Sequence, residues 1–470
     1  MSAFLSPVLS LGSRSLRQIA RIGMGAALVV LPQVAVAENT PKLPIVRDAE
    51  TEQLLRDYAT PIFRAAGINA KATQIILLNN QAFNAFVANG QKIFINVGAL
   101  MEAETPNEII GVLAHETGHI AGGHLARLRQ EVAKAQILSV AGMLLGAGAV
   151  VGAAQSRGAI GNTGTGAMGV MLGGQELVKR SLLSYQRSEE QAADQAAVRY
   201  LKATGQSPKG MLTTFRRFAD AGLFRSTAVD PYLMSHPLPL ERIAQLETLA
   251  KQSPHFEAKD PPALQARHDL MRAKLFGFVG RADTVMRRYP SRDTSAPARY
   301  ARAVLAYRTG RLSEALTTID GLIQEQPGNA YFHELKGQAL LESGRAREAI
   351  GPLRRAASLA PQGVPIRVML GHALLATGDP KLLDEAIREL TWATQREPES
   401  ADAFQHLATA YGRKGDIAMA ELAAAQAYLN AGDYKMAHTQ ASRAMEKLRP
   451  GSPGYLKAED IMNARPPGKT

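Results

Sequence analysis

The 470-residue sequence contains no cysteine. That absence excludes disulfides, thiolate nucleophiles, cysteine-ligated zinc and a lipidated N-terminal cysteine, so any metal must be held by His and carboxylate side chains. Aromatic residues are scarce, at 6% with a single tryptophan, Trp392. This argues against a stacking platform for single-stranded nucleic acid, and no nucleic-acid partner is expected. Lys and Arg exceed Asp and Glu by 54 to 42, a net charge of +12, yet there is no basic run that would mark a polyanion site. What is present, 46% apolar and 20% charged residues, is a globular composition. The length exceeds what one core fills, so two or three domains are expected.

No acidic residue precedes Glu38, while Arg14, Arg17 and Arg21 are followed by an apolar stretch from Gly23 to Leu31 and by Ala35-Val36-Ala37. This is the pattern of a cleavable signal peptide over residues 1–37; the apolar run is short for a membrane anchor. Export without cysteine points to a bacterial periplasm.

The chemistry lies in the middle of the chain. Gln74 to Leu78 is an apolar strand, and Phe83–Ala88 and Lys92–Val97 flank Asn89-Gly90, a strong hairpin signal. A helix is then expected, with Thr105 as N-cap, Pro106 at its first position and Glu108 closing a capping box. On it stands His115-Glu116-Thr117-Gly118-His119, an H-E-x-x-H motif. Residues i and i+4 share a helical face, so both imidazoles can reach one ion, and Glu116 is placed as general base for a metal-activated water.

A catalytic zinc needs a third protein ligand and an open position. Three candidates follow. His124 lies five residues after His119, whereas an elongated His motif would use the sixth, which is Leu125. Glu190 and Asp194, in an Ala-rich helical stretch, are spaced i, i+4; Glu190 could ligate while Asp194 accepts the second-nitrogen proton of a ligating His. Glu189 is the rival register, and the Ala-Asp spacing favours Glu190. His236, in Ser235-His236-Pro237, is by spacing alone a lone loop histidine.

Together, H-E-x-x-H, Glu190 and Asp194 in E-x-x-A-D, and Ser235-His236-Pro237 followed by Arg242-Ile243 resemble the heat-shock-protein-X and CAAX-prenyl-protease family of gluzincin peptidases. Asn84-Ala85-Phe86 and Gly98 also match its pattern, and the resemblance spans about residues 45–250. It implies one zinc ion per chain on His115, His119 and Glu190, with Glu116 as base. In members joined to helical repeats, the His of Ser-His-Pro can approach the metal and displace the water. The resemblance therefore implies His236 as a latency ligand or transition-state donor and Arg242 as a site-supporting residue. Gly123 departs from the family, which often has a larger residue there.

Between these motifs, residues 135–156 carry no charge, and residues 142–174 hold 11 glycines and one charge, Arg157. The expectation is a Gly-rich active-site cover over 135–178 with peripheral membrane contact, a transmembrane hairpin and a plain buried helix being the rivals. Beyond a linker at 253–262 the chain repeats. Gly310, Gly344 and Gly378 are 34 apart, Gly415 follows 37 later, and Glu314-Ala315/Glu348-Ala349 and Pro327/Pro361 keep the same step. A 34-residue helix–turn–helix period is the tetratricopeptide signature, and such arrays bind proteins. The first helix pair is expected to begin near Leu264, and a helix over 433–448 to close the array. Trp392, Phe332, Tyr331 and Met369 are expected as packing residues; Arg345, Arg347, Arg354 and Arg355 are expected on a solvated face.

The fold expected is thus mainly α, an α+β gluzincin domain with a small sheet (38–252) followed by an α-solenoid (263–450) and a tail (451–470). The function expected is a periplasmic zinc endopeptidase acting on unfolded or misassembled proteins. By resemblance its substrates are outer-membrane proteins, and its repeats meet the outer-membrane β-barrel assembly machinery. The rivals are a latent peptidase acting as chaperone or scaffold, and an inner-membrane quality-control peptidase.

Overall fold

The computed structural model describes residues 44–88, 90–133, 185–224, 236 and 240–466. The signal-peptide and Gly-rich-cover expectations lie outside these residues. Among the described residues, no helix is long and apolar enough to cross a membrane.

The first helix, α1 (Ala49–Ala65), follows the two-residue strand β1 (Ile45–Val46). Asp48 caps it, its carboxylate accepting from Thr51 N at 2.8 Å. Strands β2 (Gln74–Leu78), β3 (Ala85–Ala88) and β4 (Lys92–Asn96) complete one sheet in the order β1-β2-β4-β3. The expected hairpin is present, with Ala85 opposite Ile95 and Ala88 opposite Lys92. β4 also pairs in parallel with β2, from Gln74 opposite Lys92 to Leu78 opposite Asn96. Among the described residues β4 is therefore interior and β3 is an edge, with no strand paired on its outer side.

Helix α2 (Val97–Glu102) leaves β4 at once. Gly98 donates to Asn80 O at 2.9 Å, and a Cβ there would lie 2.1 Å from Gln81 O, so no larger residue fits. Helix α3 (Pro106–Gly122) begins at Thr105 with Pro106 first, as expected. The capping box is not formed. Thr105 makes no side-chain cap, and Glu108 Oε1 accepts instead from Glu104 N at 3.1 Å. Its other oxygen is drawn to Arg217 Nη2, 2.7 Å away.

Residues 124–133 (α4) and 185–203 (α5) are helical, followed by α6 (Lys209–Phe224) and α7 (Leu240–Lys251). The core joins Tyr58, Ile62, Leu77, Ile93, Ile95, Leu113, Leu201 and Phe215. Residues 253–261 are not a free linker: Asp260 accepts from Asn107 N at 2.9 Å, Ser207 donates to Phe256 O, and Ser253 is buried. Helix α8 (Pro262–Val279) then puts Met271 and Leu275 into the peptidase-side core and Leu270 into the next one. The domain boundary is a shared helix.

After α9 (Ala282–Arg288), helices pair as α10 (Ala296–Arg308) with α11 (Leu312–Glu325), α12 (Ala330–Glu342) with α13 (Ala346–Leu359), α14 (Val364–Ala376) with α15 (Leu383–Arg396), and α16 (Ala401–Lys414) with α17 (Ile417–Asn430). A 3-10 turn, Pro380–Leu382, takes up the three extra residues of the third repeat. Gly310, Gly344, Gly378 and Gly415 turn at φ of 78°, 78°, 70° and 87°, which only glycine adopts without strain. Helices cross closely at Gly337 and Gly371, also 34 apart; a Cβ there would meet Leu353 at 2.4 Å and Leu390 at 2.5 Å.

Helix α18 (Tyr434–Lys447) does not close the array, and residues 451–470 are not merely a tail. Helix α19 (Pro453–Asn463), capped by Ser452, buries Ala458 and Ile461 against Leu422, Ala437 and Ala441. Without it those apolar positions would face water.

Phe332 is fully buried, Tyr331 and Met369 pack at a core edge, and Trp392 is half-buried between the guanidinium groups of Arg367 (4.2 Å) and Arg396 (3.7 Å). Arg345 and Arg354 lie on the surface, paired with Glu348 and Glu385. The loop after α15 touches the peptidase sheet. Glu397 accepts from Arg47 beside β1 at 2.6 and 2.7 Å, and Glu399 from Lys92 of β4 at 3.1 Å.

Candidate active site

Local helix geometry presents His115, Glu116 and His119 from α3, and Glu190 and Asp194 from α5, each set on one face. The two faces meet because α3 and α5 touch where side chains are smallest. A Cβ on Gly118 would lie 2.9 Å from Ala193 O and 3.0 Å from Ala193 Cα. Ala193 itself is fully buried. A larger residue at 118 would hold the carboxylates away from the imidazoles.

His115, Glu116, His119, Glu190, Asp194, His236 and Arg242 converge. His115 Nε2 lies 3.1 Å from His119 Nε2, 3.3 Å from Glu190 Oε2 and 3.4 Å from His236 Nδ1. Glu190 Oε1 lies 3.4 Å from His119 Nε2 and 3.1 Å from His236 Nδ1. These four donors form a group that could hold a metal ion. Asp194 Oδ1 lies 2.9 Å from His115 Nδ1, and Arg242 clamps both acids, with Nε and Nη2 on Asp194 at 2.6 and 2.8 Å and Nη1 on Glu190 at 2.8 Å. Arg242 is itself buried, its guanidinium 5.1 Å from the Phe215 ring centre. His236 Nε2 lies 3.3 Å from Ala85 O on the edge strand and 3.4 Å from Glu116 Oε1.

Burial opposes every charge here, and the partners decide which charges survive. For Glu190, burial is outweighed by hydrogen bonds from His115 and His236, which hold its carboxyl well below the usual range. Arg242 outweighs burial at Asp194 in the same way. Burial would depress His115, but Asp194 and Glu190 raise it to about 9. His119, half-buried beside His115, is pushed well below its ordinary value by desolvation and by the neighbouring His115. Glu116 is raised by burial, and neither of its carboxylate oxygens has a hydrogen-bond partner. A buried carboxylate without a hydrogen bond is costly, and Glu116 lines the same cavity as His119, Glu190 and His236.

His124 does not join them. Its Nδ1 lies 2.9 Å from His119 Nδ1, on the ring's far side, and its Nε2 lies 2.7 Å from Glu189. The sequence reasoning passed over Arg127, which pairs with Glu189 at 2.7 Å, and Tyr185, 3.3 Å from the same guanidinium. No spacing rule connects these three. A cavity of about 150 Å³ opens beside the cluster, lined among others by Phe86, Val87, Glu116, His119, Tyr185 and His236.

An H-E-x-x-H helix, a carboxylate from a second helix and an edge strand beside them define a metallopeptidase. The family comparison agrees: residues 47–250 match Peptidase family M48, and residues 300–364 match Tetratricopeptide repeat. The chain thus carries an M48 peptidase domain followed by repeats. It is 25% identical over 376 residues to the Beta-barrel assembly-enhancing protease of Escherichia coli (strain K12), covering 78% of this chain and 73% of that one. The protein of the same name from Yersinia pestis is 24% identical over 402 residues, 83% of this chain and 79% of its own. Metalloprotease LoiP of Escherichia coli (strain K12) is 30% identical over 186 residues, 39% of this chain and 66% of its own.

Proposed function

We propose that this chain is a zinc endopeptidase of the bacterial periplasm that cleaves unfolded or misassembled polypeptides, outer-membrane proteins among them, with its repeats binding protein partners of the assembly machinery. The periplasmic assignment rests on the signal-peptide pattern of residues 1–37. The outer-membrane assignment rests on the relatives' name. The domain division proposed is a peptidase unit to about residue 252 and a repeat unit that starts within α8 and ends with α19.

The donor geometry carries the metal reading. A tetrahedral ion with ligands at roughly 2.0–2.1 Å sets neighbouring ligand atoms about 3.3 Å apart. With Glu190 Oε1 as its ligand atom, four distances fall between 3.1 and 3.4 Å: His115 to His119, His115 to His236, Glu190 to His119 and Glu190 to His236. Two or three imidazoles with one carboxylate suit zinc. When bound, the ion supplies Lewis acidity to the scissile carbonyl and acidifies the attacking water. Glu116 takes the water proton on its carboxylate and delivers it to the leaving amine nitrogen as the C–N bond breaks. Asp194 holds His115 through Nδ1, and Arg242 holds Asp194 and Glu190 in place. The free edge of β3 pairs with an extended substrate backbone, which selects unfolded chains over folded surfaces. The contact of Glu397 and Glu399 with Arg47 and Lys92 brings the repeats beside that sheet.

His236 supports a latent resting state. It occupies the fourth corner of the donor set and bonds Ala85 O, a substrate-pairing group of β3. Moving it aside would open a coordination position and the strand together. His236→Ala is expected to raise proteolysis of an unfolded protein severalfold with zinc retained. Lost cleavage with zinc bound would instead make His236 a transition-state donor. Glu190→Gln is expected to weaken zinc by more than the roughly 10–100-fold typical of an outer-sphere partner. Full zinc occupancy in that variant, measured by elemental analysis after dialysis, would remove Glu190 from the ligand set.

A further inference from the structure

A metal-binding imidazole must keep one nitrogen free of hydrogen for the ion and present N–H at the other, and whatever accepts that N–H fixes the ring. His115 meets this need directly, through Asp194. For His119 the acceptor is another imidazole. His124, 6% exposed, stands edge-on to His119 with ring centres 4.9 Å apart and planes at 86°, and the two Nδ1 atoms are 2.9 Å apart.

We propose that His124 is a positioning residue for the metal centre, carrying the negative charge of Glu189 to His119 through a chain of two imidazoles. The proposal rests on the reading above that His119 binds the ion through Nε2. The tautomers then follow one from another. His119 Nε2 is bare, so His119 Nδ1 carries the hydrogen and donates to His124 Nδ1. His124 must therefore carry its hydrogen on Nε2, which lies 2.7 Å from Glu189 Oε2. Glu189 is the terminal acceptor, and Arg127 holds it through Nη2 at 2.7 Å and Nε at 3.3 Å. Arg127 is in turn anchored by Tyr185 and by the carbonyl of Gly122.

The chain is bent to make this contact. Gly123 ends α3 at φ 66°, the left-handed conformation that a residue with a Cβ resists. The turn brings residue 124 back over the last turn of the helix. The His124 ring packs against Gly122, where a Cβ would stand 2.2 Å from Nε2. Gly122, Gly123 and His124 thus form one device: the first gives room, the second turns the chain, the third meets His119. This accounts for glycine at 123, where the resembled family often has a larger residue.

The test compares full chains of the wild type, His124→Phe, His124→Asn and Glu189→Gln by zinc competition against a chromogenic chelator, with unfolding of the zinc-free chains measured alongside. Phe keeps a flat ring over Gly122 but cannot accept a hydrogen bond; it is expected to weaken zinc by roughly 10–100-fold. Asn places an amide oxygen near the position of Nδ1 and is expected to restore most of that loss. Glu189→Gln is expected to give a smaller loss in the same direction. Equal affinity for Phe and wild type, or equal weakening by Phe and Asn, would overturn the proposal. If the Phe chain does not fold, unchanged affinity in Glu189→Gln overturns it. A wild-type chain that binds no zinc would overturn the metal reading, and this proposal with it.

Discussion

Replacing Glu116 by Gln is expected to cut peptide hydrolysis by roughly 10²–10⁴-fold while leaving zinc bound. Gln is nearly isosteric, so the packing around a fully buried side chain is kept. What is lost is the ability to hold a proton between water and the leaving amine. Neither oxygen of Glu116 is hydrogen-bonded within the fold, so the substitution removes no hydrogen bond and alters the 3.4 Å approach of His236 Nε2 to Oε1. The comparison should be made both in the wild-type chain and beside His236→Ala. If His236 silences the wild type, the contrast appears only in the second background. Retained cleavage in Glu116→Gln would refute the assignment of the base; loss of zinc would show that Glu116 shapes the metal centre instead.

The second large effect is expected far from the site, where the peptidase unit meets the repeats. Lys274 on α8 is 2% exposed and is surrounded by three carboxylates. It contacts Asp48, which caps α1; Glu334 of α12 lies 3.2 Å away and Glu50 of α1 3.6 Å away. Tyr300 of α10 donates to Glu50 at 3.0 Å. One cation thus joins helices of both units. Lys274→Met would leave the acids buried without it, and a destabilisation of about 3–5 kcal/mol is expected, measured by denaturant unfolding. A loss below 1 kcal/mol would show that the acids escape to water when the cation is gone.

The pH dependence of this cluster has a definite sign. Burial raises Glu50 and Glu334 to about 7, only partly relieved by Lys274, from the ordinary 4.5. A carboxyl whose folded pKa is raised favours the fold fully below its unfolded pKa, and that support is lost as pH rises through the folded value. Both residues therefore lower stability between about pH 4.5 and 7. Asp48 is shifted down, burial being outweighed by Lys274, so its support is present at neutral pH and lost in acid. Glu334→Gln is expected to flatten the decline toward neutral pH, and an unchanged slope would contradict the burial argument.

Some of this protein is written in short-range periodicity. The i, i+4 pairs His115/His119 and Glu190/Asp194 and the 34-residue glycine step depend on helix geometry alone, which neighbours in sequence enforce. For the same reason the start of α3 and the β3–β4 hairpin could be placed before any coordinates. The parallel pairing of β2 with β4 could not, because it needs a crossover that periodicity does not encode, and with it went the identity of the edge strand. Nor could the docking of residues 253–261, whose Asp260 serves the start of α3, or the closing role of α19.

The site divides along the same line. His115, Glu116 and His119 could be named from their motif; Glu190 was one of three candidates for a third ligand, and the family resemblance favoured it and added roles for His236 and Arg242. Where His236 lands, between Glu190 and Ala85, depends on how α5, α7 and the sheet approach one another. That approach is set by small contacts such as Gly118 on Ala193, and no spacing rule measures it. The turn at Gly123 that sends His124 to His119, and the junction around Lys274, are likewise decided by packing. Both bury charge, and a buried charge is stable only where groups distant in sequence arrive together.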